Sequence, residues 1–211
     1  MDDATRDLID RIAADAVPVR PLQRGQGLAL AGLAFMVTIL AVLFLLGARH
    51  GLLHDGVSVF FVLVNGLLLL LGIACILAVV TMASPRVGSN HDGPKWAMAM
   101  VGVLPAAGVF AAYRPGAGPV VDLAGAECTV MGLAASLLVA GALFAWLRKG
   151  APVSQRLAGL YLGTAAGAMG SVAYGLSCPV DTIVHLGIWH VAPVAIAGLV
   201  GRYVVARWLR W

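Results

Sequence analysis

A chain of 211 residues in which 61% are apolar and only 11% are charged departs strongly from a soluble domain, where about 25% of residues carry charge. One protein core could not bury so many long, uninterrupted apolar runs, so lipid is predicted to be the solvent for most of the chain. The formal net charge of +4 comes without a basic patch, which argues against direct binding of nucleic acid.

The N-terminal segment, residues 1–24, carries five Asp and four Arg and has no apolar run. It does not have the pattern of a secretory signal, so the first hydrophobic stretch is expected to remain as an anchor. Residues 3–16 predict a short helix that Asp2 or Asp3 can cap and that Pro18 and Pro21 follow as a stiff link. A helix of this length is marginal alone, so its apolar face needs a partner. That face contains Leu8, Ile9, Ile12, Ala13 and Ala16.

Residues 25–211 are predicted to form a bundle of six transmembrane helices, which makes the fold an all-α membrane protein. A spanning helix needs about 20 mainly apolar residues. The third stretch is the shortest and contains Pro105, so a re-entrant segment is the alternative there. The six stretches cover residues 27–48, 58–83, 96–113, 127–147, 157–176 and 183–205.

The basic residues predict the orientation of this bundle, because Lys and Arg are enriched in cytoplasmic loops. With the N-terminus inside, 12 of the 14 Lys and Arg residues fall on the cytoplasmic side, and only Arg49 and Arg114 fall outside. An even number of spans then places both termini in the cytoplasm. Cys128 is expected at the outer end of the fourth span, and Cys178 in the outer loop between the fifth and sixth spans.

The two outer cysteines have three interpretations: independent thiols, a disulfide between Cys128 and Cys178, or a sensory site that binds soft metals or reacts with oxidants. Glu127, Asp181, His185 and His190 are near them in sequence. No CxxC pair is present, which argues against a zinc ribbon or a thioredoxin-like site. Cys75 is expected to be a small apolar residue of the second span.

His185 and His190 are the titratable side chains predicted to lie well inside a span, where such groups are usually functional. A neutral imidazole can also simply hydrogen-bond to a neighbouring helix. The two histidines are five residues apart, so they are not expected to share one helix face as a metal-binding pair would. His50 and His54 have the four-residue spacing and precede Asp55, but they fall in a short loop.

The fifth span has small residues at strict four-residue spacing, which permits close approach of a neighbouring helix. Packing within the bundle is the main interpretation, and a homo-oligomer joined through this strip is the alternative. The strip contains Gly159, Gly163, Gly167, Ser171 and Gly175, and the fourth span has a similar one in Gly132, Ser136 and Ala140.

The sequence lacks the residues that catalysis and ion-coupled transport usually require. The cores of the first five spans contain no Asp, Glu, Lys or Arg, and no nucleotide-binding, HExxH or GxSxG motif occurs. We therefore expect no enzyme activity and no cofactor. A small metal or solute transporter would need a polar pathway lined by His185, His190, Asn65, Thr164 and Ser171. A structural membrane subunit is the remaining alternative.

Over its whole length the chain resembles the NrsF family of bacterial inner-membrane anti-sigma factors, which negatively regulate a sigma factor of the SigF type, an extracytoplasmic-function class. Four segments carry the resemblance, together with their order and the position of Cys128. They are residues 7–20 (DLIDRIAADAVPVR), 174–181 (YGLSCPVD), 186–190 (LGIWH) and 207–211 (RWLRW). Where the family often has Glu after Cys-Pro, this chain has Val180 and then Asp181.

The resemblance implies a multi-pass protein of the bacterial inner membrane whose cytoplasmic N-terminal segment holds the sigma factor away from RNA polymerase. It also implies that the outer cysteines, which match Cys128 and Cys178, take part in sensing heavy metals or a related stress, while the residues leave open whether the pair forms a disulfide or binds a metal. His185, His190 and Asp181 are candidates to support them. We expect the sigma factor to contact the apolar face of the N-terminal helix and the charges beside it. These contact residues are Leu8, Ile9, Ile12, Arg6, Arg11 and Asp7.

Overall fold

The structure is a computed structural model that describes residues 2–15, 22–50, 52, 56–85, 92–114 and 123–209. Within these ranges all regular secondary structure is helical, and a short 3-10 helix, Val205–Leu209, follows the last α-helix. The α-helices are α1 (Asp3–Ala14), α2 (Arg24–Leu46), α3 (Val59–Met82), α4 (Asp92–Ala112), α5 (Leu123–Arg148), α6 (Gln155–Gly175), α7 (Ile183–Trp189) and α8 (Ala192–Tyr203).

Among the described residues, five segments are long and apolar enough to cross a membrane: α2, α3, α4, α5, and α7 together with α8. Their outer surfaces expose large apolar side chains, such as Leu33 (64% exposed) and Phe44 (88% exposed) on α2 and Leu70 (60% exposed) on α3. Water would solvate such a surface poorly, whereas hydrocarbon chains match it. The fifth predicted span corresponds to α6, which lies outside this set of five.

Helix α6 occupies the centre of the bundle, where it packs against α8, α5 and α3. It is rich in Gly and Ala because its neighbours approach its backbone directly. A Cβ atom added at Gly159 would lie 2.2 Å from the Gly201 carbonyl oxygen, and one at Gly163 would lie 1.9 Å from the Ala197 carbonyl oxygen. Since α8 covers the first half of the small-residue strip within the same chain, that half is not available as a dimerisation face.

The strip on the fourth span also packs inside the bundle. A Cβ atom at Gly170 of α6 would lie 2.4 Å from the carbonyl oxygen of Gly132 and 2.7 Å from the backbone nitrogen of Ser136. The small residues of α5 and α6 therefore face each other, as the interpretation of packing within the bundle predicts.

The third apolar stretch forms one helix of 21 residues, α4, which continues through Pro105. It does not turn back at the proline, so the structure does not show the re-entrant alternative.

The sixth predicted stretch is not one continuous helix, because α7 ends at Trp189 and α8 begins at Ala192. Pro193 explains the break, since it lacks the N–H that would bond to the Trp189 carbonyl four residues earlier. The hydroxyl of Thr129 on α5 instead donates to that carbonyl at 3.2 Å. The Trp189 carbonyl therefore has a hydrogen-bond donor despite the break. The same hydrogen bond attaches the turn between α7 and α8 to α5.

Helix α1 has Asp2 as its N-cap, whose carboxylate accepts a hydrogen bond from the Thr5 backbone nitrogen at 3.0 Å. Each residue of the helix is exposed. Its apolar face, with Leu8, Ile9 and Ile12, therefore packs against no other described part of the chain. Ala16, Pro18 and Pro21 of the expected helix end and link lie outside the described residues.

Candidate functional site: a cluster of two cysteines and two histidines

Four buried side chains from four parts of the fold converge at one end of the bundle. Cys128 lies in the second turn of α5, Cys178 in the loop after α6, His185 on α7, and His190 in the turn between α7 and α8. One ligand atom from each residue lies within 4.8 Å of the others. All four residues are buried, with between 0% and 6% of their surface exposed.

The sulfur atoms form the core of this cluster. The Sγ atoms of Cys128 and Cys178 are 3.7 Å apart, and Sγ of Cys178 lies 3.5 Å from Nε2 of His185. All three cysteines are free thiols in the structure. A disulfide would require the two sulfurs to close to about 2.05 Å, so the observed pair is close but not bonded.

The expectation that His185 and His190 do not share a face is wrong. Their ring centroids lie 5.6 Å apart in an edge-to-face arrangement. Five residues of regular helix would place the side chains about 140° apart, but the helix ends before His190 is reached. The turn that Pro193 imposes brings the His190 ring back towards His185.

Helix α5 holds the turn that carries His190 in place. Gly125 packs directly under the Trp189 ring, since a Cβ atom there would lie 2.3 Å from the indole. Together with the hydrogen bond from Thr129, this contact fixes α7 against the helix that carries Cys128. Thr182 caps α7 by accepting a hydrogen bond from the backbone nitrogen of His185 at 3.3 Å.

Tyr174 is a neighbour of the cluster that sequence reasoning missed. The thiol of Cys128 donates to the Tyr174 hydroxyl at a sulfur–oxygen distance of 3.6 Å, and the Tyr174 and His190 ring centroids are 6.1 Å apart. The sequence signal that could have found Tyr174 is its spacing, because it precedes Cys178 by four residues at the end of a predicted helix.

The pKa of the Cys178 thiol is raised above its ordinary value, mainly by its hydrogen bond with Cys128 and also by burial.

Asp181 does not join the cluster but forms an ion pair with Arg49, at a distance of 2.5 Å from Nη1 to Oδ1. Only 6% of the Arg49 side chain is exposed, and its guanidinium lies 4.6 Å from the centre of the Phe61 ring. The backbone nitrogen of Arg49 donates to the Leu176 carbonyl at 2.9 Å. Arg49 and Asp181 thus fasten the segment after α2 to the loop that carries Cys178.

The other residues near the cysteines in sequence lie elsewhere. Glu127 is exposed and is not among the converging ligands, and His50 is exposed in the turn after α2. His54 and Asp55, the rest of the alternative metal motif, lie outside the described residues. Cys75 is fully buried in α3, as expected of an apolar core residue.

The remaining polar residues of the transporter alternative lie at three different helix interfaces. Asn65 of α3 contacts the backbone at Gly175 of α6, Thr164 of α6 faces Gly198 of α8, and Ser171 of α6 lies near Gly132 of α5. The amide nitrogen of Asn65 donates to the carbonyl of Phe61 at 3.0 Å. The structure therefore gives these three side chains packing positions between helices.

The expected contact residues for a sigma factor lie together on α1 and face solvent. Leu8 is 58% exposed, Ile9 is 48% exposed and Ile12 is 64% exposed. Two exposed ion pairs flank them: Arg11 with Asp7 at 2.7 Å and Arg6 with Asp3 at 3.8 Å.

Comparison with known proteins identifies the family of this chain. The profile of the NrsF family, described as "Negative regulator of sigma F", matches residues 12–211. The chain belongs to the NrsF family. It is 34% identical to the anti-sigma-F factor NrsF of Caulobacter vibrioides over 219 aligned positions, which cover 98% of this chain and 99% of that protein. It is also 30% identical over 221 positions to the probable anti-sigma-F factor NrsF of Azospira oryzae, with the same coverage. No solved structure matches significantly.

Proposed function

We propose that this member of the NrsF family is a membrane-bound anti-sigma factor, a regulatory protein without catalytic activity, that sequesters an extracytoplasmic-function sigma factor. The observation that carries the proposal is the match to the family over nearly the whole chain. The exposed apolar face of α1 supplies a surface for the sigma factor, and the buried cluster at one end of the bundle supplies a sensor.

In this proposal the bundle crosses the bacterial inner membrane six times, with both termini in the cytoplasm. Helix α6 is the fifth span in chain order and completes the six: its 21 residues are about 31 Å long, enough to cross the hydrocarbon core. It is less apolar than the others because other helices, not lipid, surround it. Arg156 at its start groups with Arg202 and Arg207, whereas Cys178 follows its other end. This distribution supports a cytoplasmic basic end and a periplasmic cluster.

The sigma factor binds the N-terminal segment by burying the apolar face of α1. Burying a Leu or Ile side chain contributes about 1.5–3 kcal/mol, and Leu8 and Ile12 still expose more than half of their surface. Together they can contribute about 3 kcal/mol, which corresponds to a roughly 100-fold change in affinity. Arg6, Arg11 and Asp7 set the orientation of the complex through charge.

Co-purification of the sigma factor with the detergent-extracted protein tests this proposal. The double variant Leu8→Asp/Ile12→Asp should lose sigma recovery. For the single variant Leu8→Asp the matched control is Ala14→Asp, because Ala14 is an exposed position about 120° around α1 from Leu8. Equal recovery with the wild type and the Leu8→Asp/Ile12→Asp variant would refute binding through this face.

The sensor in this proposal consists of the two thiols, which respond to a periplasmic stress such as a heavy metal or an oxidant. The loop of Cys178 is tied to the segment after α2 by Arg49–Asp181 and by the hydroxyl of Ser177, which donates to the Gly47 carbonyl at 2.6 Å. Helix α2 follows the N-terminal segment in the chain. A change in the state of the thiols therefore shifts the loop, and through α2 the segment that holds the sigma factor.

Transcription from a sigma-dependent promoter, measured with and without Cd²⁺, tests the sensor. Cys128→Ser and Cys178→Ser should each abolish induction, whereas Cys75→Ala, which changes a buried thiol far along α3, should retain it. If both serine variants respond like the wild type, the thiols are not the sensor, although the anti-sigma role could still stand on the co-purification result.

A further inference from the structure

The cysteine pair does not stand alone in the structure, since two buried imidazoles face it. We propose that Cys128, Cys178, His185 and His190 form one tetrahedral site for a divalent thiophilic cation of the Zn²⁺ and Cd²⁺ class. This inference deepens the proposed sensing role and rests on it for its biological meaning. Neither the family description nor the names of the relatives assign a ligand role to the histidines.

Two of the distances between ligand atoms match those that such a cation requires, and the others lie close to them. With metal–sulfur bonds of about 2.3 Å and metal–nitrogen bonds of about 2.05 Å, a tetrahedral site separates two sulfurs by about 3.8 Å and a sulfur from a nitrogen by about 3.6 Å. The observed separations are 3.7 Å between the sulfurs and 3.5 Å between Cys178 Sγ and His185 Nε2. Since no pair of ligand atoms is farther apart than 4.8 Å, closure around an ion needs movements of at most about 1 Å.

The unpartnered ring nitrogens of the histidines are the second observation. Nδ1 of His185 and both ring nitrogens of His190 are buried and have no hydrogen-bond partner among the described residues. His190 is only 2% exposed and His185 only 3%. A buried polar group without a partner is unfavourable. Coordination of a cation would satisfy one of the two orphaned nitrogens of His190, whereas His185 would bind through Nε2, which already faces Cys178.

Charge selects a divalent cation for this buried site. Binding converts two thiols and one divalent cation into a complex of net charge zero and releases two protons, because thiolates, not thiols, are the ligands. A neutral complex is the one that a low-dielectric environment tolerates best. A monovalent cation with two thiolates would leave one negative charge buried, and Arg49 is already paired with Asp181.

Tyr174 is a positioning residue for this site. Its hydroxyl accepts a hydrogen bond from the Cys128 thiol at 3.6 Å in the structure. Once the thiol loses its proton to metal binding, the hydroxyl can rotate and donate to the thiolate. Partners of this kind typically change metal affinity by about 10- to 100-fold.

The four ligands also explain how an ion could act on the fold. They come from α5, from the loop after α6, from α7 and from the turn before α8. An ion that draws them together joins α5 to the α6–α7 loop, which carries the Asp181 partner of Arg49. Ion binding thus acts on the same connection through which the sensor is proposed to reach α2.

The experiment is metal binding by the full chain, purified in detergent with a tag that contains no histidine. X-ray absorption of the wild-type protein loaded with Zn²⁺ should count two sulfur and two imidazole nitrogen ligands, and Co²⁺ should give tetrahedral visible bands with thiolate charge transfer. His185→Ala and His190→Ala should each weaken Zn²⁺ binding at least about 100-fold. The control His50→Ala, which removes an exposed histidine, should bind as the wild type does.

A sulfur-only ligand shell, wild-type affinity in both histidine variants, or no bound metal would overturn the inference. The wild-type ligand count decides the matter even if a variant fails to fold. With a sulfur-only shell the proposed function still stands, because thiols alone can sense a stress. A count of two sulfurs and two nitrogens supports the inference even if no sigma factor co-purifies, in which case it is the anti-sigma role that fails.

Discussion

The contact between α6 and α8 is so close that a single methyl group should disrupt it. A Cβ atom at Gly163 would lie 1.9 Å from the Ala197 carbonyl oxygen, whereas ordinary contact begins at 3.4 Å. The helices would have to separate by about 1.5 Å. Added Cβ atoms at Gly159 and Gly201 would also meet backbone atoms, at 2.2 Å and 2.0 Å. The contact between α6 and α8 is therefore made by backbone atoms at several positions along the two helices. Small rotations therefore cannot relieve the clash.

We expect Gly163→Ala to lower the free energy of unfolding by about 2 kcal/mol. Overpacking costs about 1–3 kcal/mol, and here the clash is with backbone, which places it at the upper end. The higher helix propensity of Ala offsets up to about 1 kcal/mol. Because α8 begins just after His190, a wider seam should also weaken metal binding at the cluster.

The assay is unfolding of the purified protein in detergent, followed by far-ultraviolet circular dichroism and tryptophan fluorescence. Gly141→Ala on α5 is the matched control, because nothing lies within 4 Å of the added methyl group, and it should be neutral or slightly stabilising. Equal stability of the two variants would refute the claim that α6 and α8 touch backbone to backbone.

Two further predictions concern charges outside the cluster. Asp181→Ala should destabilise the protein by about 2 kcal/mol, because it leaves the buried Arg49 guanidinium without its partner, although the partial exposure of Asp181 moderates the cost of breaking the pair. Asp181→Asn should destabilise it less, and equal thermal stability of the wild type and both variants would contradict this prediction. Hydrogen bonds from Thr5 hold the pKa of Asp2 below its usual value, so the cap stabilises α1 above the ordinary carboxyl pKa and is lost as the pH falls through the lowered one. The helicity of a peptide of residues 1–24 should therefore fall in that acidic range, and Asp2→Ala should reduce this dependence, the rest of which comes from the ion pairs of Asp3 and Asp7.

The long apolar helices were predictable because hydrophobicity over about 20 residues is a property of local sequence. Each predicted apolar stretch corresponds to a helical part of the structure, and the small-residue strip predicted a close helix contact. The partner of that strip was not predictable, because any neighbouring helix could have used it. Only the packing shows that α8 covers Gly159, Gly163 and Gly167 within the same chain.

The candidate site was predictable only in part. Its residues are separated by up to 62 positions, from Cys128 to His190, and the sequence could not show that they meet. The periodicity of an unbroken helix even predicted that His185 and His190 lie on different faces. Pro193 is visible in the sequence. Its effect on His190 depends on Thr129 of another helix, whose hydroxyl donates a hydrogen bond to the Trp189 carbonyl.

The sequence by itself determined the long apolar helices that favour lipid as the solvent, because composition and the length of apolar runs decide how a chain can be solvated. It also determined the apolar face of the N-terminal helix and the family resemblance, since both are carried by residues close together in the chain. Only the tertiary structure decided that two cysteines and two histidines share one buried site and that Arg49 meets Asp181. Such contacts depend on how the helices pack and where one of them breaks, and helix packing is a property of the whole bundle.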